Sequence, residues 1–274
     1  LGRTLQSGGY DAVVCVHVIP AMMMTALKQA WSACPVFCFV ATDYTCSPTV
    51  GACTPDICVI PHQELADEFV SCGIARDTLL PAGIPVRSAF REHGDRAAAR
   101  RALGLPETGH IVLMSGSIGC GPMGDVAEDL DMRMADGDFA TVLCGSNKQM
   151  RYALELRRLY RVEAMGFTTQ VQLYMDSADV LVSKPGGISI TEAGTRGVPL
   201  LLADMVGGCE TRNEAFFTAH GWAASCPPDN MAASALAFLE DEQQRQAITA
   251  AQGRDFDGLA ADRVAAAVLA RCRK

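Results

Sequence analysis

The stretch Ser183-Lys184-Pro185-Gly186-Gly187-Ile188-Ser189-Ile190-Thr191-Glu192-Ala193 decides the fold of the chain's second half. An apolar run precedes it and a helical pattern follows it, which predicts a strand, a turn and a helix. Gly186 and Gly187 let the backbone approach a ligand without a Cβ in the way, and the helix start beyond them favours an anion. Glu192, one turn further, lies within reach of a ribose whose phosphates bind at that helix start. Taken alone, the stretch is equally consistent with a plain Gly-Gly turn and a solvated Glu192.

A second glycine-rich loop, Ser115-Gly116-Ser117-Ile118-Gly119-Cys120-Gly121-Pro122-Met123-Gly124, follows a predicted strand of the same half. It has neither the Lys-Ser/Thr ending of a P-loop nor a G-x-G-x-x-G with an acidic residue about 20 residues further on, which argues against NAD. A loop that is merely flexible is the alternative. Because α/β sheets bind ligands at the carboxyl ends of their strands, two such loops favour one shared ligand.

A third loop, Val206-Gly207-Gly208-Cys209-Glu210-Thr211-Arg212-Asn213, lies between a predicted strand and a predicted helix. Asn213 fits the N-cap of that helix. Glu210 offers a carboxylate that can accept hydrogen bonds from sugar hydroxyls.

Short apolar runs alternate with helical patterns along the chain, which is typical of an α/β protein with parallel sheets. Predicted strands span residues 11–18, 35–41, 56–60, 78–81, 110–115, 140–144, 162–166, 180–183, 199–203 and 222–225. Predicted helices span residues 21–31, 63–72, 124–134, 148–160, 171–177, 188–196, 213–220, 231–240, 242–254 and 259–272. A polar, charged segment over 85–107 separates the two series.

These runs predict two Rossmann-like domains, 1–90 and 91–274, the second ending in a helical tail. The first has about four strands against about six in the second, and the chain opens with Leu1. We therefore expect the front strands of the first domain to be missing from this chain, with an exposed sheet edge and poor solubility as consequences.

The composition narrows the class of function. A formal net charge of −8 leaves no basic stripe for phosphates, which argues against a nucleic-acid partner. No apolar run approaches the roughly 18 residues of a membrane-spanning helix. The twelve cysteines contain no Cys-x-x-Cys pair, so we expect structural thiols in a reducing cytoplasm instead of disulfides or a metal site.

The three loops together resemble the family-28 GT-B glycosyltransferases. The likeness is strongest to monogalactosyldiacylglycerol synthases and processive diacylglycerol β-glucosyltransferases. Lys184-Pro185-Gly186-Gly187 with Glu192-Ala193, Gly197-Val198-Pro199-Leu200-Leu201-Leu202, and Gly208, Glu210 and Asn213 carry it in the second half. Val40-Ala41-Thr42-Asp43 and Gly83-Ile84-Pro85-Val86-Arg87 carry it in the first.

The resemblance implies an inverting transfer of a hexose from a UDP-sugar to a lipid hydroxyl, with diacylglycerol as the expected acceptor and without an essential metal or other cofactor. It implies an enzyme at the cytoplasmic face of the membrane, held there peripherally. By position, the implied donor-binding residues are Gly116, Ser117, Gly119, Phe167, Thr168, Gly186, Gly187, Ile188, Ser189, Glu192, Glu210 and Asn213. Phe167 and Thr168 would border the uracil, Glu192 would hold the ribose and Glu210 would contact the sugar.

Two departures from the family pattern keep other interpretations open. Cys209 stands where the family usually has Gln, which leaves the sugar undetermined. The family's N-terminal glycine-rich loop ending in His is absent from this sequence, which leaves Asp43, and after it His17, as candidate bases. A non-catalytic nucleotide-sugar-binding fragment or a UDP-sugar epimerase of the same fold are the alternatives. The Met-rich segment 20–24 offers either core packing or an apolar surface for a lipid tail.

Overall fold

The computed structural model describes residues 1–92, 94–114, 116, 122–203 and 206–273. The chain forms two compact units, Leu1–Val86 with Leu259–Lys274, and Arg87–Gly258. Each unit is built on its own parallel sheet. The predicted fold class, two Rossmann-like α/β units, is thereby confirmed.

The first unit has four parallel strands in the order β1-β2-β3-β4. In chain order its elements are α1 (Gly2–Gly8), β1 (Ala12–Cys15), α2 (Val18–Ala30), β2 (Val36–Val40), β3 (Ile57–Ile60), α3 (Ala66–Ser71) and β4 (Leu79–Pro81). Strand β1 lies at one edge of this sheet and leaves Val14 half exposed. Helix α2 buries Met24 and exposes Met22 and Met23, so the Met-rich segment serves both the core and the surface.

The second unit has six parallel strands in the order β10-β9-β8-β5-β6-β7. Its strands are β5 (His110–Met114), β6 (Phe139–Leu143), β7 (Val162–Met165), β8 (Val180–Ser183), β9 (Leu200–Leu202) and β10 (Ala224–Ser225). Its helices are α4 (Arg96–Leu103), α5 (Met123–Arg133), α6 (Lys148–Arg157), α7 (Val171–Ser177), α8 (Gly187–Arg196), α9 (Cys209–Ala219), α10 (Met231–Glu240) and α11 (Glu242–Asp255).

The first strand of this sheet lies at its centre. All five residues of β5 are buried, and β5 pairs with β6 on one side and β8 on the other. The strand order therefore reverses direction between β5 and β8, which is the place where an open α/β sheet leaves a crevice beyond its strand ends. Two of the glycine-rich loops follow β5 and β8. Because these strands are neighbours and parallel, both loops begin at the same edge of one sheet, as the sequence predicted.

The last helix, α12 (Ala260–Cys272), differs in placement from the sequence expectation. Its buried residues Ala260, Val264 and Val268 recur every four positions. This stripe packs on β2 and β3 of the first unit, where Val40 and Val59 lie in the same core. An apolar stripe predicts a helix that covers a sheet but does not say which of two sheets it covers.

Two predicted boundaries move because side chains and turns end the elements earlier. The strand expected over 11–18 ends at Cys15, since His17 is the N-cap of α2 and its Nδ1 accepts a hydrogen bond from the Ile19 N–H at 3.2 Å. The helix expected over 148–160 ends at Arg157, because Arg158 takes a left-handed conformation with φ 50°.

In the part of the chain that the structure describes, no helix is both long and apolar enough to cross a membrane. Cys15 and Cys38 are buried in strands of the first unit, as their apolar surroundings predicted. Burial raises the pKa of the Cys38 thiol to about 12, so this cysteine packs as an uncharged group.

A buried polar network lies near the amino end of the central strand. His110 is 1% exposed, with its Nε2 2.9 Å from Thr141 Oγ1 and its Nδ1 3.1 Å from Ser177 Oγ. Burial lowers the pKa of His110 to about 4, an effect that the Ser177 carbonyl opposes. The imidazole is therefore neutral in the folded protein at neutral pH.

We predict that His110 makes the protein sensitive to mild acid. Because its pKa is lower in the folded state than in the unfolded chain, its stabilising contribution is present above pH 6.5 and is lost as the pH falls toward 4. The free energy of unfolding should drop by about 2 kcal/mol between pH 7.5 and pH 5 through this group. Urea unfolding of wild type and His110→Gln at both pH values tests this. The variant should lack the part of the decrease in unfolding free energy that His110 causes. Parallel pH profiles would contradict it.

Candidate nucleotide-sugar site

A cavity of about 380 Å³ lies at the carboxyl end of the second unit's sheet. Its lining comes from the ends of β5, β6 and β7, the start of α8 and the segment that opens the unit: Arg87, Met114, Gly116, Leu143, Gly145, Gly166, Phe167, Thr168, Thr169, Val171, Ile188, Ser189 and Glu192. Six of the residues predicted to bind a donor line it together: Gly116, Phe167, Thr168, Ile188, Ser189 and Glu192. Residues separated by more than 70 positions in sequence thus meet at one sheet edge.

A wider depression of about 910 Å³ lies at the opposite, amino end of the same sheet. Its buried charged groups already satisfy one another, since Arg100 pairs with Asp179 and donates to the Ser177 carbonyl at 3.0 Å. We therefore locate the candidate site in the smaller cavity, where strand ends and a helix N-terminus converge.

The start of α8 is suited to an anion. Gly186 is the N-cap, and none of the described side chains caps this ten-residue helix. Its first N–H groups and the positive end of its dipole therefore remain available to a ligand. Gly187 is buried, so backbone and not side chain would meet a phosphate here.

Glu192 is the buried carboxylate of the cavity. Its side chain is 13% exposed, and Arg87 Nε lies 3.8 Å from its Oε1. Burial raises the pKa of Glu192 to about 7, and the nearby Arg87 partly opposes this rise. A carboxyl group held this way gains hydrogen-bond donors when a ribose enters, because the ionised form accepts from both hydroxyls.

Large apolar residues also line the cavity. Phe167 and Ile188 are 72% and 50% exposed although they are large hydrophobic residues, while Leu143 and Met114 are buried at the strand ends. Exposed aromatic and aliphatic groups beside a pocket are suited to the flat face of a base.

The third loop lies beside the start of α8. The Lys184 ammonium forms an ion pair with Glu210, and a Cβ added at Gly186 would lie 3.4 Å from Lys184 Nζ and 3.8 Å from Glu210 Oε1. Glu210 is in the first turn of α9, where the helix dipole favours a negative charge.

Asn213 is not the N-cap that its sequence position suggested. Helix α9 begins four residues earlier, at Cys209, with Gly208 as its N-cap at φ 71°. Asn213 is fully buried, and its Nδ2 donates to the Pro185 carbonyl at 2.9 Å. This hydrogen bond fixes the backbone of the Lys-Pro-Gly-Gly loop. The capping prediction failed because a glycine with positive φ opens the helix instead of an Asx side chain.

Ser117 and Gly119, also predicted to bind the donor, lie outside the described residues. The two candidate bases belong to the first unit. His17 follows β1 and Asp43 follows β2, so both lie beyond the carboxyl ends of neighbouring parallel strands. His17 is exposed and Asp43 is partly buried.

Sequence reasoning missed Arg87 and Gly145 as lining residues of the cavity. Gly145 is the second residue after the end of β6, which pairs with β5, so the rule that ligands bind at strand ends next to the reversal in strand order could have identified it. Arg87 ends the Gly83–Arg87 segment, but sequence alone does not indicate that its side chain approaches Glu192.

Comparison with known proteins relates both halves of the chain to glycosyltransferases. The family profile of monogalactosyldiacylglycerol (MGDG) synthase matches residues 1–86. The profile of glycosyl transferases group 1 matches residues 95–254, more than half of the chain. The chain belongs to the glycosyl transferases group 1 family. These matches confirm the resemblance to GT-B glycosyltransferases that the loop motifs indicated.

Two curated relatives show how far the similarity of this chain extends. A processive diacylglycerol beta-glucosyltransferase of Staphylococcus saprophyticus is 28% identical over 207 residues, which cover 74% of this chain and 53% of that protein. The chloroplastic MGDG synthase of Spinacia oleracea is 30% identical over 235 residues, which cover 81% of this chain and 45% of that protein. The chain spans about half the length of the curated relatives it matches.

Solved structures share the fold of this chain at low sequence identity. The S. aureus MnaA–UDP complex matches with a TM-score of 0.72 over 96% of this chain and 76% of that one, at 13% identity. Anabaena HepE in complex with UDP-glucose matches with a TM-score of 0.66 over 98% of this chain and 80% of that one, at 17% identity. These likenesses show the GT-B fold class, in which each of two α/β units is built on a sheet of parallel strands.

We predict that Glu192 destabilises the ligand-free protein at alkaline pH. Because its pKa is raised in the folded state, its stabilising contribution is complete below the unfolded value of 4.5 and is lost as the pH rises through about 7. We compare the change in unfolding free energy that Glu192→Gln causes at two pH values. This change should be more stabilising at pH 8 than at pH 5 by about 2 kcal/mol. Urea unfolding at both pH values measures this, with the exposed Glu163→Gln as control. An effect of Glu192→Gln that does not change with pH would contradict the prediction.

Proposed function

We propose that the second unit binds a UDP-sugar and that the protein is an inverting glycosyltransferase that moves a hexose from this donor to a lipid acceptor, with diacylglycerol as the expected acceptor. One observation carries the donor assignment. The cavity is lined by exposed apolar side chains, by a buried carboxylate and by the first residues of a helix that no described side chain caps, three features that suit the base, the ribose and the phosphates of a nucleotide diphosphate.

The donor lies along this cavity from Phe167 to the third loop. Uracil packs against Phe167 and Ile188 beside Thr168, and the ribose hydroxyls donate to Glu192. The diphosphate meets the backbone of Gly186, Gly187 and Ser189, and Glu210 accepts a hydroxyl of the sugar. Gly116, at a φ of 81°, approaches the same region from the end of β5. Asn213 acts indirectly by fixing the loop at Pro185.

The chemistry that these groups support is a single displacement. The acceptor hydroxyl oxygen bonds to the anomeric carbon from the face opposite UDP, and the bond from that carbon to the β-phosphate oxygen breaks with both electrons going to UDP. The departing UDP gains negative charge, which fixed N–H dipoles at the start of α8 stabilise. The hydroxyl proton passes to a base, for which Asp43 is the first candidate and His17 the second.

Three observations support the lipid acceptor. The MGDG synthase profile matches residues 1–86, and curated relatives are named as diacylglycerol glucosyltransferase and MGDG synthase. On α2 of the first unit, Ile19, Met22 and Met23 are 62%, 44% and 47% exposed. An exposed apolar surface of this kind suits contact with acyl chains, and we place the enzyme peripherally at the cytoplasmic face of a membrane.

The epimerase alternative is weaker on these observations, and the non-catalytic alternative differs from the proposal only in its products. A UDP-N-acetylglucosamine 2-epimerase from Listeria monocytogenes shares the fold with a TM-score of 0.66, but its 15% identity supports no transfer of function. A nucleotide-sugar-binding protein without catalysis would keep the same donor site and differ only in lacking product formation.

We predict that the purified chain binds UDP and not NAD. Glu192→Ala should weaken UDP binding by about tenfold or more, because two charge-assisted hydrogen bonds to the ribose are lost. Isothermal titration calorimetry measures both nucleotides. Glu163→Gln, in the same unit but exposed on β7, serves as the control and should bind as wild type does.

No UDP binding by a folded chain, as judged by its far-UV circular dichroism and a cooperative melt, would overturn the donor site. NAD binding at the same site would equally overturn the nucleotide assignment.

Product analysis separates the three classes of function. We expect a glycolipid only when UDP-glucose or UDP-galactose is supplied together with diacylglycerol in mixed vesicles, and we expect no new sugar nucleotide from the donor alone. Mass spectrometry detects the glycolipid in the lipid phase and any new sugar nucleotide in the aqueous phase. A changed UDP-sugar without acceptor would indicate an epimerase, and tight UDP binding with no product would indicate a non-catalytic binder.

A further inference from the structure

The ion pair between Lys184 and Glu210 lies where three glycine-rich loops meet. Lys184 follows β8 directly and Glu210 is the second residue of α9. A Cβ added at Gly116 would lie 2.9 Å from the Lys184 side chain at Cε, and one added at Gly186 would lie 3.4 Å from its Nζ. The lysine side chain therefore passes Gly116 of the second glycine-rich loop, and its ammonium lies close to Gly186 of its own loop.

Both members of the pair are largely removed from water. The side chain of Lys184 is 19% exposed and that of Glu210 is 13% exposed. Desolvation of two charges costs free energy that their mutual attraction repays only when the remaining hydrogen-bonding capacity is also used. Two apolar residues at these positions would pack equally well without this cost. We therefore look for a further partner that compensates the desolvation of the two charges.

That remaining capacity is unused among the described residues. Glu210 Oε2 is buried and has no hydrogen-bond partner there, while Oε1 accepts from Lys184. An ammonium has three N–H donors, and in the described part of the chain Glu210 receives the one that is used. Among the described residues, one acceptor and two donors are thus left for a ligand that carries both a hydroxyl and an anion.

The backbone around Lys184 is held on both sides. The Lys184 carbonyl accepts from the Gly186 N–H and from Ser183 Oγ, each at 2.9 Å. Asn213 holds the next carbonyl, that of Pro185, at 2.9 Å. The ammonium therefore extends from a fixed point next to the uncapped start of α8 and loses less freedom on binding a ligand than a lysine on a mobile loop would.

We propose that Lys184 joins the two halves of the donor site: it holds Glu210 by one carboxylate oxygen, leaves the other oxygen for a sugar hydroxyl, and presents its two remaining N–H groups to the diphosphate. The inference rests on the proposed UDP-sugar site and deepens it. Lys184 is then a phosphate ligand and also the positioning residue of Glu210. Its loss should weaken the recognition of the sugar as well as that of UDP.

The experiment compares UDP with UDP-sugars in four proteins: wild type, Lys184→Met, Glu210→Gln and the double variant. Calorimetry gives the sugar increment, defined as the Kd for UDP divided by the Kd for the tighter of UDP-glucose and UDP-galactose. Lys148→Met, which removes an exposed lysine at the start of α6, is the matched control. Circular dichroism and melting temperature confirm that each variant is folded.

We expect Glu210→Gln to lower the sugar increment by about tenfold and to leave UDP affinity within threefold of wild type. Lys184→Met should raise the Kd for UDP by about tenfold and lower the sugar increment by the same factor as Glu210→Gln. The double variant should lose no more of the increment than either single variant, because the two residues act on the sugar as one unit.

Other results overturn the proposal in distinct ways. If Lys184→Met weakens UDP and UDP-sugar equally, Lys184 binds phosphate but does not position Glu210. If it changes neither affinity, the pair is only structural. If Lys184→Met does not fold, Lys184→Gln takes its place with the same expectations. Wild type that binds neither UDP nor a UDP-sugar would instead overturn the proposed function itself.

Discussion

The position of β5 at the centre of the six-stranded sheet is the constraint on which the rest of the second unit depends. Its five residues are all buried, so this strand is covered by helices on both faces and paired on both edges. The chain then builds β6 and β7 on one side and β8 to β10 on the other. The reversal between β5 and β8 leaves a crevice at their carboxyl ends, and the loops that follow these two strands border it.

The electrostatics of this crevice differ from those of the rest of the unit. At the amino end of the sheet, buried charges such as Arg100 and Asp179 satisfy each other. At the carboxyl end, burial raises the pKa of Glu192 to about 7, and Glu210 keeps a buried oxygen without a partner among the described residues. Buried polar groups that lack hydrogen-bond partners destabilise the ligand-free protein, and such groups are concentrated at sites where a ligand supplies the missing partners.

The two units carry different features. The second unit carries the helix N-terminus and the carboxylates that suit a nucleotide diphosphate and its sugar. The first unit carries the match to MGDG synthase, the exposed apolar residues of α2 and the candidate bases. Its sheet is completed on one face by α12, which returns from the far end of the chain. Because Leu259–Lys274 belongs to the first unit, the chain passes between the units twice.

The sequence by itself determined the α/β class, nearly all the strands, the glycine-rich loops at strand ends and the family resemblance, because these depend on local periodicity and on motifs that span few residues. Only the tertiary structure decided which side chains share the cavity. It brought Arg87 to Glu192, joined Lys184 to Glu210, buried Asn213 beneath Pro185 and assigned α12 to the first sheet. Each of these pairings links distant segments, and their partners are selected by packing and by the desolvation of charge, which no local pattern encodes.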